Sequence, residues 1–316
     1  MKRVCVASET KCLPFYHFQS ILTSMKCATV SIIGRPSSGK STLVNTICER
    51  KVSITAKTPQ TTRNAIRGIF TDSRGQLILT DTPGYHLNDQ KMNLKLQETT
   101  RASLIQTDII LYIIDSKREG GIEELAIIEI IKRSKAPIVI AINKEDVAKK
   151  EEIEVTKEFI TTHFPDSTVC IISAHKDTGV DELLIELYKL APEGPLQFGE
   201  EEFTDQPLEF RIAEIIREKA IIGVTEEIPH AIFVDIVDIE HDKEKNSIWI
   251  RASINVEKES QKGILVGRGG EGIKKIRQAS FKEIKQIFPG MQLQLDLRVK
   301  AVNKWRKKNS ILSRLL

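Results

Sequence analysis

The chain has 316 residues, 41% of them hydrophobic, with 47 Lys and Arg against 43 Asp and Glu and a formal net charge of +4. This composition is ordinary for a globular protein and excludes fibrous and disordered classes; the longest unbroken apolar stretches, about six residues, fall far short of the roughly 20 that span a bilayer. Five scattered cysteines, with no CxxC pair and no His at ligand spacing, suggest neither a disulfide framework nor a zinc site and fit a reducing interior.

The length argues for two domains, and the charge divides unevenly between them. Residues 1–259 hold 33 basic and 40 acidic side chains, net -7, whereas residues 260–316 hold 14 and 3, net +11. The two ends must face different partners.

In chain order, residues 1–24 carry Lys2, Arg3 and Lys11 beside Glu9, Pro14 and His17, with neither an apolar h-region nor a small-residue cleavage site. They are expected to be a disordered tail or a mis-assigned start, since Met25 opens a natural first strand. Short β-branched runs then alternate with helical patterns, the signature of a mainly parallel, doubly wound α/β sheet. The runs are 29–33, 76–80, 109–114, 138–142 and 169–172, read as strands buried on both faces. Residues 65–70, before the turn Asp72-Ser73-Arg74-Gly75, are expected to form a hairpin with 76–80. Amphipathic helices are predicted over 121–134, through Ile122, Leu125, Ile128 and Ile131, and over 179–190. From about Pro192 to Pro207 periodicity disappears, which marks a linker.

The chemistry starts at Gly34-Arg35-Pro36-Ser37-Ser38-Gly39-Lys40-Ser41, followed by Thr42. This is a GxxxxGKS run placed after a strand and opening a helix, the context a phosphate loop requires. Gly34 and Gly39 let backbone N–H groups wrap a β-phosphate, Lys40 reaches the β and γ phosphates, and Ser41 offers its hydroxyl to magnesium. Asp81-Thr82-Pro83-Gly84 ends the next strand, where Asp81 can hold a magnesium-bound water and the Gly84 N–H can meet the γ-phosphate. Asn143-Lys144-Glu145-Asp146 follows another strand. The Asp146 carboxylate accepts from guanine N1–H and the exocyclic amine, donors that adenine lacks, so this loop selects guanine. Lys144 would lie along the ring and sugar, and Ser173-Ala174-His175 would offer N–H groups to guanine O6. Four loops in this order, each at a strand's C-terminal edge, make one nucleotide crevice.

Between the first two motifs lies Thr58-Pro59-Gln60-Thr61-Thr62-Arg63, in the position of a switch segment. Thr62, with Thr61 as fallback, is expected to bind magnesium through its hydroxyl and the γ-phosphate through its N–H while the third phosphate is present.

Here the chain resembles the translation-factor-related GTPases, and among them the Era family, through Pro-Gln-Thr-Thr-Arg at 59–63, Asp-Thr-Pro-Gly-Tyr-His at 81–86, and a single nucleotide domain followed by a second domain. The resemblance implies a GTPase domain over 25–192, a linker over 193–206 and a type II KH domain over 207–316. It implies hydrolysis of GTP to GDP with Mg2+ as cofactor. Tyr85 stands where Ras-like enzymes keep a water-positioning Gln, so slow intrinsic turnover is implied. Ser37 replaces the Asn with which relatives help bind an activating potassium ion, a departure that puts potassium activation in doubt.

The second domain reads as helix (208–220), strand (231–239), strand (247–256), helix, GxxG, helix (through Ile273, Ile276, Phe281, Ile284 and Ile287) and strand (292–299), the αββααβ order of a type II KH domain. Its loop is Gly267-Arg268-Gly269-Gly270. Without side chains in the way, helix N-termini and Arg268 can approach the phosphates of about four single-stranded nucleotides, with Ile273 and Lys274 in the adjoining turn and an apolar groove for the bases. The net +11 around this loop supports RNA as the ligand.

By resemblance the RNA is the region near the 3′ end of 16S ribosomal RNA. The protein is then a monomeric, cytoplasmic factor in assembly and maturation of the 30S small ribosomal subunit, with a peripheral contact to the inner membrane. Lys300, Lys304, Trp305, Arg306, Lys307 and Lys308 leave two readings open: a solvated basic tail whose Trp packs on its own domain, or a contact with RNA or anionic lipid. Histidines such as His86 are expected to be surface or core residues. The rival reading is a membrane-associated signalling or cell-cycle GTPase whose KH-like domain binds a protein. A tRNA-modifying GTPase is disfavoured, because no cysteine follows Cys170.

Overall fold

The computed structural model describes residues 25–55, 64–84, 91–105, 107–222, 224 and 228–315, with backbone alone at 91–97, 309, 314 and 315. The tail 1–24, the switch residues Thr58 to Arg63, Tyr85 and His86 lie outside the described residues.

The first unit runs β1 (Lys26–Ile33), α1 (Lys40–Ile47), β2 (Ile66–Asp72), β3 (Gly75–Asp81), α2 (Lys91–Ile105), β4 (Ile109–Asp115), α3 (Ile122–Ile131), β5 (Ile138–Asn143), α4 (Lys150–His163), β6 (Thr168–Ile171) and α5 (Val180–Leu190). Its six strands form one sheet in the order β2-β3-β1-β4-β5-β6. β2 pairs antiparallel with β3 as a hairpin, and all other pairings are parallel. Every residue of β3 and β4 is buried, so alternate side chains feed two separate cores. Leu111 and Ile113 join Val30, Leu43 and Leu183 on one face, while Ile110, Tyr112 and Ile114 join Ile128, Ile142 and Ile160 on the other.

Three sequence expectations change. The strand expected over 169–172 is the edge strand β6, and its Thr168 and Val169 are exposed because no strand covers that side. In α3 the inward face is Glu124, Ile127, Ile128 and Ile131, leaving Ile122 and Leu125 in solvent. Isoleucines on nearly every side of this helix left its phase undetermined. Helices α2 and α4 have no counterpart among the predicted elements; α4 buries only Ile153, Thr156 and Ile160, too sparse a stripe to show as periodicity.

The stretch expected as a linker is held against the first unit. The Gln76 side chain accepts from the N–H groups of Gln197 and Phe198 and donates to the Phe198 carbonyl, each at 3.0 Å. Ile69 N–H donates to the Phe203 carbonyl at 2.9 Å, the Thr204 hydroxyl donates to the Arg67 carbonyl at 2.8 Å, and Arg67 pairs with Asp205 at 3.0 Å. An extended segment thereby satisfies backbone groups along the free edge of β2 that water would otherwise have to satisfy.

The second unit runs α6 (Leu208–Ile222), α7 (Ile228–Ala231), β7 (Phe233–Asp242), β8 (Ser247–Val256), α8 (Glu259–Val266), α9 (Glu271–Ile287), β9 (Gln292–Ala301) and α10 (Asn309–Leu315). Its sheet has the order β7-β8-β9, the first pair antiparallel and the second parallel. Ile212, Ile216, Ile250, Ile254, Leu265, Ile276 and Ile284 fill the core between sheet and helices, while Phe281 of α9 is exposed. Trp305 is buried against Phe233 with ring centroids 4.7 Å apart, and its Nε1–H donates to the Ala231 carbonyl at 2.7 Å. The tail's aromatic therefore packs on its own domain and is not available to stack on RNA or insert into lipid. Among the described residues no helix is long and apolar enough to cross a membrane.

Candidate functional site

The four loops named from the sequence meet at the C-terminal ends of β1, β3, β5 and β6. Gly39 caps α1 with φ 104, the left-handed region that favours glycine, and a Cβ there would fall on Nδ2 of Asn143. Asn143 explains the tight fit: its Nδ2–H donates to the Ser38 carbonyl at 2.8 Å, and its Oδ1 accepts from the Ala174 N–H at 2.9 Å. One buried amide thus joins the phosphate loop, the Asn-Lys-Glu-Asp loop and the Ser-Ala-His loop. Gly84 closes the third side, since a Cβ on it would stand 2.7 Å from the Pro36 Cα.

Lys40 is 5% exposed, and its Nζ donates to the Gly34 and Arg35 carbonyls at 3.0 and 2.8 Å. Burial pushes its pKa down to about 8, against the opposing pull of Asp81 and Glu124. A cation held this way can exchange loop carbonyls for phosphate oxygens. Asp81 is fully buried at the end of β3; Thr82 beside it donates its hydroxyl to the Ile32 carbonyl at 2.6 Å, and Thr100 donates to the Pro83 carbonyl at 3.2 Å. Ser37 is exposed with φ 63, a conformation Asn adopts more readily than Ser. Arg35 is drawn aside by Glu123 at 2.9 Å. Arg118, through Nη1, donates to the Pro36 carbonyl at 3.2 Å.

At the base-recognition end, Asp146 is exposed and accepts the Ser173 hydroxyl proton at 2.6 Å, leaving the carboxylate edge open. Ser173 Oγ also accepts from the Lys176 N–H at 3.1 Å, which shapes the turn containing Ala174 and the exposed His175. Lys144 adopts φ 73, and its Nζ meets Asp115 at 2.7 Å. Glu145 is exposed, with its N–H donated to the Ile172 carbonyl at 3.2 Å.

In the second unit, Gly267, Gly269 and Gly270 have φ of 72, 59 and 82 as the chain turns from α8 into α9. The amides of the first turn of α9 face that loop, with Arg268, Ile273 and Lys274 around it. Its positive field comes from the helix end and from cations left in solvent.

A family model described as a 50S ribosome-binding GTPase matches residues 29–144, and a KH domain model matches residues 227–306. The chain is 45% identical to GTPase Era of Treponema denticola over 92% of this chain and 99% of that one, and 44% identical to GTPase Era of Borreliella burgdorferi over 92% and 100%. The chain belongs to the GTPase Era family. Among solved structures it is similar to Era in complex with MgGDPNP and nucleotides 1506–1542 of 16S ribosomal RNA, with a TM-score of 0.88 and 32% identity over 92% of this chain and 98% of that one. It is likewise similar to a single-substitution variant of Aquifex aeolicus Era bound to GDP and AlF4-, with a TM-score of 0.87, the same identity and the same coverage.

The donor set fits the magnesium nucleotide that the Era family implies. Ser41 and Asp81 offer hard oxygens of the kind Mg2+ takes, and the buried Ser38 Oγ has no hydrogen-bond partner in the loop that would hold phosphate. Among the described residues no cluster of three or more His, Cys, Asp or Glu forms a separate metal site. Sequence reasoning missed three supporting residues. Asp115 holds Lys144, Glu124 receives the Tyr112 hydroxyl behind the phosphate loop, and Asn45 holds the chain beyond α1 by accepting from Val52 and Ser53, both at 2.8 Å. Only Asp115 had a signal, a carboxylate closing an apolar strand.

Proposed function

We propose that this Era-family chain is a GTP-driven switch. Residues 25–192 bind and hydrolyse GTP, 193–206 join the domains, and 207–316 bind single-stranded RNA near the 3′ end of 16S ribosomal RNA during 30S subunit assembly. The observation that carries the reading is Asn143, which locks the phosphate loop to two loops carrying guanine-specific groups, in a chain that also presents a GxxG loop at a helix N-terminus.

Gly34 to Thr42 cradle the phosphates, with Lys40 stabilising charge on the γ-phosphoryl as water attacks it. Ser41, Thr62 and Asp81, the last through water, would hold Mg2+, which supplies charge neutralisation across the β and γ phosphates. Gly84 offers its N–H to the γ-phosphate, and Tyr85 leaves the attacking water without the Gln that would orient it, so turnover is slow. Asp146, Ser173, Ala174 and His175 read guanine, while Lys144, held by Asp115, lies along the ring. Ser37 stands where relatives keep the Asn that helps bind potassium, which puts potassium activation in doubt; turnover in potassium and sodium buffers, wild type against Ser37→Asn, decides it. Gly267 to Gly270, Ile273 and Lys274 receive the RNA.

The protein works as a monomer in the cytoplasm, where Cys27, Cys48 and Cys170 stay buried and free. Contact with the inner membrane is peripheral and made by the exposed basic residues of the C-terminal stretch, without Trp305. The test is binding of a 3′ 16S ribosomal RNA oligonucleotide to the full chain loaded with a non-hydrolysable GTP analogue or with GDP, across a salt series. A steep salt dependence and different affinities in the two states are expected, because a ligand with equal affinity for both states shifts neither. No binding at low salt overturns the RNA reading.

A further inference from the structure

The chain between α1 and the switch segment is gripped from both sides. From the nucleotide domain, Asn45 accepts from the Val52 and Ser53 N–H groups and donates to the Ser53 carbonyl at 2.7 Å. From the junction with the second unit, Gln206 donates to the Val52 carbonyl at 3.1 Å. From α6 itself, Glu218 accepts the Thr55 N–H at 2.9 Å. Thr55 is the residue from which the chain enters segment 56–63.

Glu218 stands in the domain junction with its side chain 3% exposed, a costly place for a carboxylate unless it is paired. Its second oxygen receives Lys51 from the first unit and Lys219 from its own helix, the latter at 2.6 Å. Glu283 of α9 meets the same two lysines, each at 2.5 Å. Two cations and two anions therefore close a knot across the junction. Burial alone would raise the Glu218 carboxyl, but hydrogen bonds from Lys219 and Lys51 hold it below the ordinary range, so it stays ionised and fixed toward Thr55.

From this geometry we infer that Glu218 is a positioning residue for GTP hydrolysis: a carboxylate of the second domain sets the point at which the chain enters the switch segment of the first. The inference rests on the GTPase reading above. It extends that reading by making the hydrolytic geometry of one domain depend on the seating of α6 and, through Glu283, of α9, the helix that opens at the GxxG loop.

The test uses the full chain and two readouts, single-turnover GTP hydrolysis and equilibrium GDP binding, the second of which needs only the phosphate and base loops. Glu218→Met removes the acceptor at nearly the same side-chain length and is expected to slow hydrolysis about tenfold, with GDP affinity within about twofold of wild type. Glu218→Gln keeps a carbonyl oxygen for the Thr55 N–H and should rescue hydrolysis to within about threefold. Thr55→Pro removes the donor without touching the charge knot, and carries the test if the Met variant does not fold; it too should lose about tenfold in hydrolysis alone. Hydrolysis within twofold of wild type in the folded Met or Pro variant overturns the inference, as does a parallel loss of GDP affinity, which would make Glu218 a general stabiliser. A wild type that binds GTP without hydrolysing it fails the GTPase reading itself, and is seen in the reference arm before any variant is compared.

Discussion

The loop at 34–41 and the loop at 267–270 both present glycines and a helix N-terminus to an anion, yet they differ in what requires the glycines. At Gly34 and Gly39 an added Cβ would strike Ile113 and Asn143, so neighbouring atoms forbid it. At Gly267, where the second loop begins, an added Cβ would stand 2.9 Å from the Gly272 N, but at Gly269 and Gly270 nothing stands within 4 Å, and glycine is required at those two by backbone angle alone. The first loop is an interior part whose shape is dictated by what packs behind it. The second is a surface turn. A buried cradle can specify one ligand, because each mismatched polar group is stranded away from water, whereas an exposed one can bind many phosphate strands and must take specificity from the bases.

The largest effect expected from this contrast is in Gly39→Ala. The new methyl displaces Asn143, which joins three loops, and φ 104 is strained for any other residue. Loss of GTP affinity should reach about 1000-fold, about 4 kcal/mol, by titration calorimetry, while RNA binding by the same protein stays within about twofold. A parallel loss of RNA affinity would break the separation of the two loops. Next is Asp146→Asn, which turns an acceptor into a donor facing guanine N1–H. GTP affinity should fall about 100-fold and preference move toward xanthine nucleotides; unchanged GTP affinity removes Asp146 from the base pocket.

Much of this contrast was legible in the sequence because its parts are local. Glycine spacing, a strand before and a helix after, and the run of cations past residue 260 can be read without knowing what packs where. What could not be read depends on packing between distant segments. Lys51 lies more than a hundred positions from Glu218 and Glu283, and in a linear reading each of the three belongs to a solvated face. Their burial comes from the docking of the two units, which leaves no periodic trace. The inward face of α3 was hidden by excess, since Ile122, Leu125, Ile127, Ile128, Ile130 and Ile131 fit several phases equally well. Trp305 had two readings because an aromatic among lysines has the same composition whether it is stacked on RNA or buried against Phe233.

At the exposed loop the corresponding substitution should be milder. Arg268→Asp reverses one charge beside the GxxG amides, on a side chain that is not part of the domain's core. RNA affinity should drop about 30-fold at low salt, and the slope of log affinity against log salt should shrink by about one to two. Nucleotide binding should not change. An undiminished salt slope would mean that the electrostatic contact lies elsewhere on the basic face.

The buried cradle also carries a titration that the exposed loop lacks. Because burial lowers the Lys40 pKa to about 8 in the free protein, Lys40 loses its proton above that pH unless phosphate is bound; phosphate restores the ammonium, so nucleotide binding takes up a proton there. The sign is fixed: GTP affinity is flat below about pH 8 and falls above it, by about tenfold at pH 9. The folded protein bears the cost of the buried ammonium below pH 8, and that cost is relieved between 8 and the ordinary lysine value of 10.5. Calorimetry in two buffers of different ionisation enthalpy at pH 9 reads the proton uptake directly.

The smallest effect is the counterpart of the first. Gly270→Ala meets no neighbour, so its only cost is a left-handed backbone at φ 82, about 1 kcal/mol for a residue with a Cβ. That corresponds to a fall of a few degrees in the melting temperature, with GTP affinity unchanged. If Gly270→Ala instead abolished RNA binding while the protein melted normally, the missing Cβ would be needed for direct approach of the phosphate backbone. The two glycine loops would then be alike in excluding side chains for a ligand's sake, differing only in whether protein atoms already enforce the exclusion before the ligand arrives.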